Sequence, residues 1–343
     1  MARDKAVSQA LERGMARLGI PGASVALRDG GRSEAQVAAG LDPLGQAAPS
    51  TSDVRPYWSL GKTFIATTFC ALAAGRRINL DSVASTWVPE AELGPEVTIR
   101  RLLNHTAGIV DYGSQPGYQR AVRETPEEPW GSANYLAVAR LPPTFASGTE
   151  WEYSNTGYFL LRLILHRAFG RSIDRTLADT TLRPLGLNSV KLLRDREDMM
   201  RLAPGVSTFW GEPVDARTRY LPDWVGSGML AGTAIDGARF YDRLLRGEAL
   251  TPDWLEQMLD GRAVTGKPPG WVRPTYGLGL MIDRDHPLGV VVGHGGDGPG
   301  YGAAAFRVTR GRKSVTVCVL TNCDGGRLAE ELALELAAAH LRA

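Results

Sequence analysis

Apolar side chains recur at helical spacing at both ends of the chain. In residues 1–18 they fall three or four positions apart, at Val7, Ala10, Leu11, Met15 and Leu18. The sequence GIPG follows and ends this predicted helix, because glycine and proline interrupt helices. The last segment, RLAEELALELAAAHLRA, has the same periodicity. We therefore predict one helix at the start of the chain and one at its end.

Shorter apolar runs, separated by turn residues, predict strands near both termini. Near the start, ASVAL at 23–27 and AQVAAG at 35–40 flank a DGG turn and predict a hairpin. Further strands are predicted in the last quarter, at 277–283, 289–296, 303–311 and 314–322. The turns between these strands are short, which favours antiparallel pairing. Strands at both ends of the chain predict one sheet assembled from both termini.

Between these strands the composition is mostly helical, and the predicted fold class is α+β. Helices are predicted from Leu60 through Ala74 and over 157–170, and irregular segments near a pocket rim over 203–224 and 262–275. We expect an antiparallel sheet flanked by the terminal helices, with an inserted, mostly helical subdomain. The expected single domain covers 1–343, with the sheet at about 1–75 and 225–343 and the helical subdomain at about 76–224.

The composition is that of an ordinary globular protein. Hydrophobic residues make up 43% and charged residues 22% of the 343 positions. The formal net charge is +2 without basic clusters, so neither nucleic acid nor an anionic membrane is expected as a partner. The cysteines, Cys70, Cys318 and Cys323, form neither a disulfide framework nor a zinc-type spacing, and we expect no metal and no cofactor. No apolar stretch has the character of a signal peptide or a membrane span, which predicts a cytoplasmic protein.

The segment PYWSLGKTF contains the first candidate chemistry. Ser59 and Lys62 lie three residues apart, so they share one face if a helix begins at Ser59. A serine hydroxyl needs a neighbouring base, and a lysine serves as one when burial lowers its pKa towards neutrality. The N-terminus of the helix would lower that pKa further. The spacing by itself occurs by chance in many proteins.

Two more segments carry residues of this kind. In WEYSNTGYFLL, Tyr153 and Asn155 precede the predicted buried helix. A tyrosine near cations can relay a proton and an Asn amide can bind a carbonyl, although helix capping would also explain the pattern. In VVVGHGGDGPGY, His294 precedes Gly295 and Gly296 at the end of a predicted strand. Glycines there allow a substrate to approach the backbone, and the histidine can donate a hydrogen bond or relay a proton.

Ser59-x-x-Lys62, Tyr153-x-Asn155 and His294-x-Gly296 occur in the order and approximate spacing of one superfamily. The chain resembles the serine β-lactamases, penicillin-binding proteins and related esterases, and most closely their class C β-lactamase and esterase branch. Accessory segments match as well: RRLLNHTAGI at 100–109, PLGL at 184–187, GSGMLAGTAIDGARF at 226–240, YGLGL at 276–280 and LTN at 320–322. The resemblance covers nearly the whole chain and implies a β-lactamase/transpeptidase-like fold.

The resemblance also implies a role for each matched residue. Ser59 would be acylated, Lys62 would act as general base, and Tyr153 would pass the proton to the leaving group. Asn155 would contact the amide or acyl chain of the substrate, and His294 would orient Tyr153 or a substrate oxygen.

An edge strand would complete the site. The backbone N–H groups of Ser59 and Asp297 would form the oxyanion hole, with Gly295 and Gly296 as further substrate-binding positions.

The sequence departs from the β-lactamase pattern at two positions of this strand. His294 replaces the lysine of K-T-G, which removes a permanent cation that would hold a substrate carboxylate. Asp297 adds an acidic side chain nearby. Both changes favour a neutral substrate.

The leading hypothesis is hydrolysis of a small neutral ester or amide, with carboxylesterase activity favoured. A biosynthetic acyltransferase, in which an alcohol or amine takes the acyl group, would use the same acyl-enzyme. A β-lactamase or D-stereospecific peptidase comes third, and a non-catalytic relative that binds an acyl ligand comes fourth. Outside the motifs, His105 is expected to order backbone, whereas Asp111 belongs either to the pocket rim or to the scaffold.

Overall fold

The computed structural model describes residues 2–31, 33–45, 48–266 and 268–342. Met1 and Ala343, which the sequence places in the terminal helices, lie outside the described residues. The helices are α1 Ala2–Leu18, α2 Leu60–Ala74, α3 Ile99–Leu103, α4 Pro116–Glu124, α5 Ser132–Ala139, α6 Asn155–Phe169, α7 Ile173–Leu177, α8 Arg196–Met200, α9 Ala216–Arg219, α10 Ala234–Leu245, α11 Pro252–Met258 and α12 Gly326–Arg342. Short 3₁₀ turns occur at Ala84–Thr86, Pro89–Ala91, Tyr112–Ser114 and Pro222–Trp224, and a π turn at Ala178–Leu182.

Strands occur at both ends of the chain and in short pieces between. They are β1 Gly22–Asp29, β2 Ser33–Gly40, β3 Arg55–Pro56, β4 Lys191–Leu192, β5 Val206–Ser207, β6 Val214–Asp215, β7 Leu230–Gly232, β8 Arg262–Ala263, β9 Pro274–Tyr276, β10 Met281–Asp283, β11 Val290–Gly298, β12 Tyr301–Arg310 and β13 Lys313–Thr321.

One antiparallel sheet contains the first and the last strands of the chain. Its eight strands have the order β2-β1-β13-β12-β11-β10-β9-β8. The pair β1 and β13 joins the two ends, with Ala23 opposite Thr321 and Leu27 opposite Val317. The predicted α+β fold class, with one sheet assembled from both termini, is therefore confirmed.

The two faces of this sheet pack against different helices because side chains alternate along each strand. On β13, Val317 and Val319 belong to the core beneath α1 and α12. Cys318 and Leu320 belong to the core on the other face, which contains Phe64 of α2. The helix that begins beside Ser59 is thus buried against the sheet, which fixes its direction.

The single strand predicted over 277–283 is wrong. The chain forms β9 and β10 with a tight turn between them, closed by a hydrogen bond from Gly277 N to Leu280 O of 2.8 Å. Gly279 has φ +71°, and a Cβ there would lie 2.6 Å from the Ala66 Cβ. Glycine therefore permits a turn that packs directly on α2.

A small sheet in the order β3-β7-β4 was not predicted. Its strands have two or three residues, too few for alternation to show in the sequence. Pro56 pairs with Ala231, which anchors the backbone just before Ser59.

Helices α3 to α8 lie in the middle of the chain, as predicted, although the division into two subdomains stays a prediction. No helix in the described ranges is long and apolar enough to cross a membrane. The cytoplasmic location likewise stays a prediction.

Candidate active site

Ser59 stands at the start of α2 on a constrained backbone. The residue before it, Trp58, has φ +48°, a left-handed conformation that a side chain with a Cβ adopts at an energetic cost. Ser59 occupies the N-cap position, but its hydroxyl makes no capping hydrogen bond. The Oγ atom of Ser59 is thus available to other side chains.

Two polar groups meet that hydroxyl from different elements. Lys62 Nζ lies 3.0 Å from Ser59 Oγ, and the Tyr153 hydroxyl donates a hydrogen bond of 2.9 Å to the same oxygen. Lys62 Nζ also donates to Asn155 Oδ1 at 2.7 Å. The structure therefore brings together the first two of the three motifs, although more than ninety residues separate them in the sequence.

Burial sets the protonation of this cluster. The side chain of Lys62 is almost fully buried, and desolvation lowers its pKa from 10.5 to about 7, with the charge of Asp111 opposing part of the change. Desolvation raises the pKa of the Tyr153 hydroxyl, and its hydrogen bond to Ser59 opposes the rise. Near neutral pH the lysine is thus poised to accept a proton, whereas the tyrosine holds one.

Asp111 is connected to Lys62 through Asn155, which hydrogen-bonds to both side chains. Its carboxylate accepts hydrogen bonds from Asn155 N at 2.7 Å and Asn155 Nδ2 at 3.3 Å. These bonds point the Asn155 carbonyl oxygen at Lys62. Desolvation raises the pKa of Asp111, and its hydrogen bonds oppose the rise. Asp111 is not among the residues that line the pocket beside Ser59, and it supports Asn155 from behind, which agrees with the scaffold interpretation.

His105 orders the backbone that carries the second motif. Its Nδ1 accepts a hydrogen bond of 3.1 Å from Ser154 N, and its ring packs 4.3 Å from the Tyr153 ring. Burial lowers the pKa of His105 well below its ordinary value, so the ring is neutral. The residue has φ +62°, which places it in a turn beside the segment it supports.

His294 uses both ring nitrogens away from Tyr153. Its Nδ1 donates to the Gly295 carbonyl oxygen at 2.5 Å, so its Nε2 accepts from the Tyr276 hydroxyl at 2.9 Å. The rings of His294 and Tyr153 are 6.3 Å apart. Burial lowers the pKa of His294 to about 3. The partner of this histidine is thus Tyr276, which the sequence reasoning did not single out.

The glycines of β11 let the strand approach Ser59. A Cβ on Gly296 would lie 2.5 Å from the Tyr57 carbonyl oxygen and 3.0 Å from the Trp58 Cβ. A Cβ on Gly295 would lie 1.8 Å from Glu330 Oε1, on the other side of the strand. Glycine at both positions allows β11 to fit between the backbone before Ser59 and helix α12.

The carboxylate of Asp297 is directed to α12. Its Oδ1 accepts a hydrogen bond of 2.7 Å from Gly326 N, at the first residue of that helix. The partial positive charge at a helix N-terminus stabilises a carboxylate. The side chain therefore fastens β11 to α12.

A pocket of about 510 Å³ opens beside Ser59. Its wall includes the aromatic side chains Trp58, Tyr112, Tyr118, Phe209, Tyr220 and Trp224. The irregular segment 203–224 thus reaches the pocket, as predicted. Trp271 of the other irregular segment lines a separate cavity with Glu330.

A family model described as Beta-lactamase matches residues 7–341. The chain belongs to the beta-lactamase family. This family consists of serine hydrolases, which confirms the resemblance drawn from the three motifs.

The chain is similar to a penicillin-binding protein and to a D-aminopeptidase. The chain is 26% identical over 298 residues to Penicillin-binding protein 4* of Bacillus subtilis, across 81% of this chain and 63% of that protein. It is 28% identical over 180 residues to the D-aminopeptidase of Brucella canis, across 51% of this chain and 33% of that enzyme. The chain thus spans less than two thirds of the length of both relatives.

A solved structure is similar over nearly the whole chain. The D-stereospecific amidohydrolase from Streptomyces sp. has a TM-score of 0.81 and 28% identity, covering 97% of this chain and 98% of that one. The predicted β-lactamase/transpeptidase-like fold is therefore confirmed.

Proposed function

We propose that this protein hydrolyses a small amide or ester through an acyl-enzyme on Ser59, with Lys62 and Tyr153 moving the protons. One observation carries the proposal: Ser59 Oγ lies 3.0 Å from a lysine amine and 2.9 Å from a tyrosine hydroxyl. Acyl transfer requires a base that takes the hydroxyl proton and an acid that protonates the leaving group. The two neighbours of Ser59 fit these tasks.

In the first step, neutral Lys62 takes the hydroxyl proton while Ser59 Oγ attacks the carbonyl carbon. A pKa of about 7 leaves a large share of Lys62 neutral at physiological pH, whereas an ordinary lysine would be almost entirely charged. The oxyanion accepts hydrogen bonds from the backbone N–H groups of Ser59 and Asp297. Donors of this kind typically contribute about a hundredfold or more to kcat.

In the second step, Tyr153 donates its proton to the departing nitrogen or oxygen, and the proton on Lys62 replaces it. Water then enters, and Lys62 and Tyr153 take its proton while its oxygen bonds to the acyl carbon. The proton passes to Ser59 Oγ when the bond between Oγ and the acyl carbon breaks, which releases the acid product. We propose that Asn155 holds Lys62 in place, because its carbonyl oxygen accepts from the amine at 2.7 Å. One hydrogen of its amide is left for a substrate oxygen.

His294 is proposed to support the site without transferring protons. A pKa of about 3 keeps the ring neutral throughout the working range, and both nitrogens are engaged. Through Tyr276 and Gly295 the ring connects β9 with β11. Its task is then to hold the strand that carries the oxyanion donor.

We favour amides over esters as the natural substrates, because similar proteins are named for the hydrolysis of amide bonds. The D-stereospecific amidohydrolase and the D-aminopeptidase act on amide bonds by name, and the former is similar over nearly the whole chain. Esters are more reactive and serve as assay substrates. The carboxylesterase and acyltransferase alternatives use the same acyl-enzyme and differ in the acyl donor or acceptor.

Intact-protein mass spectrometry tests this proposal. Wild-type protein mixed with 4-nitrophenyl esters of graded chain length is expected to gain the acyl mass on Ser59 and to lose it in water. Ser59→Ala should gain no mass and lose about a thousandfold or more in turnover, whereas Ser52→Ala, at an exposed serine, should match wild type. A stable adduct that clears only with an added amine or alcohol would replace hydrolysis by acyl transfer. Absence of any adduct on wild type would refute the acyl-enzyme.

A further inference from the structure

His294 and Asp297 are the two residues from which a neutral substrate was predicted. In the structure, Asp297 directs its carboxylate to the N-terminus of α12, 2.7 Å from Gly326 N. The negative charge of Asp297 is thus already matched by the helix. It gives no strong reason for the pocket to repel an anion.

The same pocket contains a cation that has no carboxylate partner among the described residues. Arg123, on the last turn of α4, is exposed and lines the pocket together with Ser59 and Lys62. Within the described part of the chain, Arg123 makes no salt bridge. Arg123 is the lining side chain with a lasting positive charge, since Lys62 is neutral when it acts as a base, and the negative Asp297 is directed to α12. The charge balance therefore favours an anionic guest.

The guanidinium of Arg123 is held against the pocket wall. Its central carbon lies 4.9 Å from the centre of the Phe209 ring, within cation–π distance. Phe209 is itself fixed, because Thr208 N donates to Asp324 at 2.7 Å and Trp210 Nε1 donates to the Val122 carbonyl oxygen at 3.1 Å. An arginine stacked on a fixed ring loses less side-chain freedom when it binds a ligand.

We propose that Arg123 binds a carboxylate on the part of the substrate remote from the scissile bond, so that the enzyme prefers anionic amides and esters. The inference rests on the proposed function of Ser59, because it places the reacting carbonyl at the inner end of the pocket. Aromatic side chains line the same pocket as Ser59 and Arg123. The preferred substrate therefore has a carbonyl, an apolar middle and a terminal carboxylate.

Matched esters test the preference and locate the carboxylate. One pair carries it on the acyl side, 4-nitrophenyl hydrogen adipate and its methyl ester. The other carries it on the leaving group, 4-carboxyphenyl butyrate and its methyl ester. Wild type is expected to show a kcat/KM for the anion of one pair about threefold to tenfold above that for its methyl ester, and the ratio should fall with added salt.

Substitution then assigns the preference to one side chain. Arg123→Gln should remove the preference of that pair, so that the ratio of kcat/KM for the anion to kcat/KM for the methyl ester falls about threefold to tenfold. Arg123→Lys should keep part of the preference, because it keeps the positive charge. Arg120→Gln is the matched control, because Arg120 is an exposed arginine of the same helix outside the pocket. Comparing ratios between variants cancels the intrinsic reactivity of the esters.

The outcomes separate this inference from the proposed function. If both members of each pair acylate Ser59 and Arg123→Gln leaves both ratios unchanged, the carboxylate inference is overturned while the acyl-enzyme stands. If no ester acylates wild type, the proposed function fails. Calorimetric titration of Ser59→Ala with adipic acid monoanilide then decides the inference alone: about threefold or more weaker binding after adding Arg123→Gln supports it, and equal binding overturns it.

Discussion

The two ends of the active-site pocket each contain a basic side chain, which is buried at the inner end and exposed at the mouth. At the inner end, Lys62 is 3% exposed, and desolvation lowers its pKa to about 7. At the mouth, Arg123 is exposed and stacks on Phe209. A buried amine becomes a base because its charged form is disfavoured, whereas a solvated guanidinium keeps a constant charge. Burial therefore makes Lys62 a base at the inner end, whereas exposure leaves Arg123 charged and able to select anionic substrates at the mouth.

At the inner end, burial of the Lys62 amine lowers the free energy of unfolding. Between pH 7 and 10.5 the unfolded chain binds a proton on Lys62 that the folded chain has released, so stability rises with pH across this window. Below about pH 7 both states are protonated, and the folded state bears the full penalty, on the order of 5 kcal/mol. The mouth carries no comparable penalty, because Arg123 stays in water.

The largest expected effect comes from Lys62→Met, which removes the amine but keeps a similar volume. We expect kcat to fall about a thousandfold or more, because no other base lies beside Ser59 among the residues described. The variant should nevertheless be more stable than wild type at pH 6, by about 1–3 kcal/mol after loss of the bond to Asn155. Thermal unfolding checks this, and the gain should shrink towards pH 10.5. A variant less stable than wild type at pH 6 would show that Lys62 is not strained by burial.

Next in size is Tyr153→Phe, which keeps the ring on His105 but removes the hydroxyl. We expect kcat for amides to fall about a hundredfold, because their leaving group must be protonated. For 4-nitrophenyl esters, whose leaving group departs as an anion, the loss should be smaller. Steady-state kinetics on a matched amide and ester provide the comparison. Equal losses on both would argue against Tyr153 as the acid.

At the mouth, Asp324→Ala should loosen the wall without changing the chemistry. Asp324 accepts hydrogen bonds from Thr208 N and Gly300 N, both at 2.7 Å, and so connects the segment bearing Phe209 to the turn after β11. We expect KM to rise about threefold with kcat nearly unchanged, and stability to fall by about 1 kcal/mol. Asp260→Ala, at an exposed acid far from the pocket, serves as control. A fall in kcat with unchanged KM would contradict the separation of the two ends.

The smallest effect is a shift in the pH profile on Asp111→Asn. The charge of Asp111 raises the pKa of Lys62, so its removal should lower that pKa. The acid limb of kcat/KM is then expected to move to lower pH by about half a unit, with little change in the plateau. Glu152→Gln, at an exposed acid beside Tyr153, controls for long-range charge. Movement of the limb to higher pH would exclude Lys62 as the group that controls it.

Sequence reasoning found the residues of the inner end because they lie in short motifs with fixed chemistry. Ser59 and Lys62 are three residues apart on one helix, and Tyr153 and Asn155 flank the start of another, so local spacing already positions each pair. The long strands β11 to β13 were likewise predicted, since their apolar runs are bounded by turns. The roles of these residues stay predictions until the variants are measured.

The contacts of His294 with Tyr276 and of Arg123 with Phe209 could not be predicted from the sequence. Tyr276 reaches His294 only because a turn at Gly279 reverses the chain between β9 and β10. Arg123 reaches the pocket because a distant loop places Phe209 beneath it. Such contacts depend on how separate segments pack, and no periodicity in either segment indicates them.

The pairing of β1 with β13 has a consequence for how the protein is made. β1 ends at Asp29 and its neighbour begins at Lys313, so a ribosome must deliver nearly the whole chain before the sheet can close. Until then the hairpin of β1 and β2 has an unpaired edge, which is open to wrong partners. The face that supports α2 also lacks Cys318 and Leu320 during this time. Chains released before β13 should therefore be inactive targets for proteolysis, and catalysis should begin only after β13 has been synthesised.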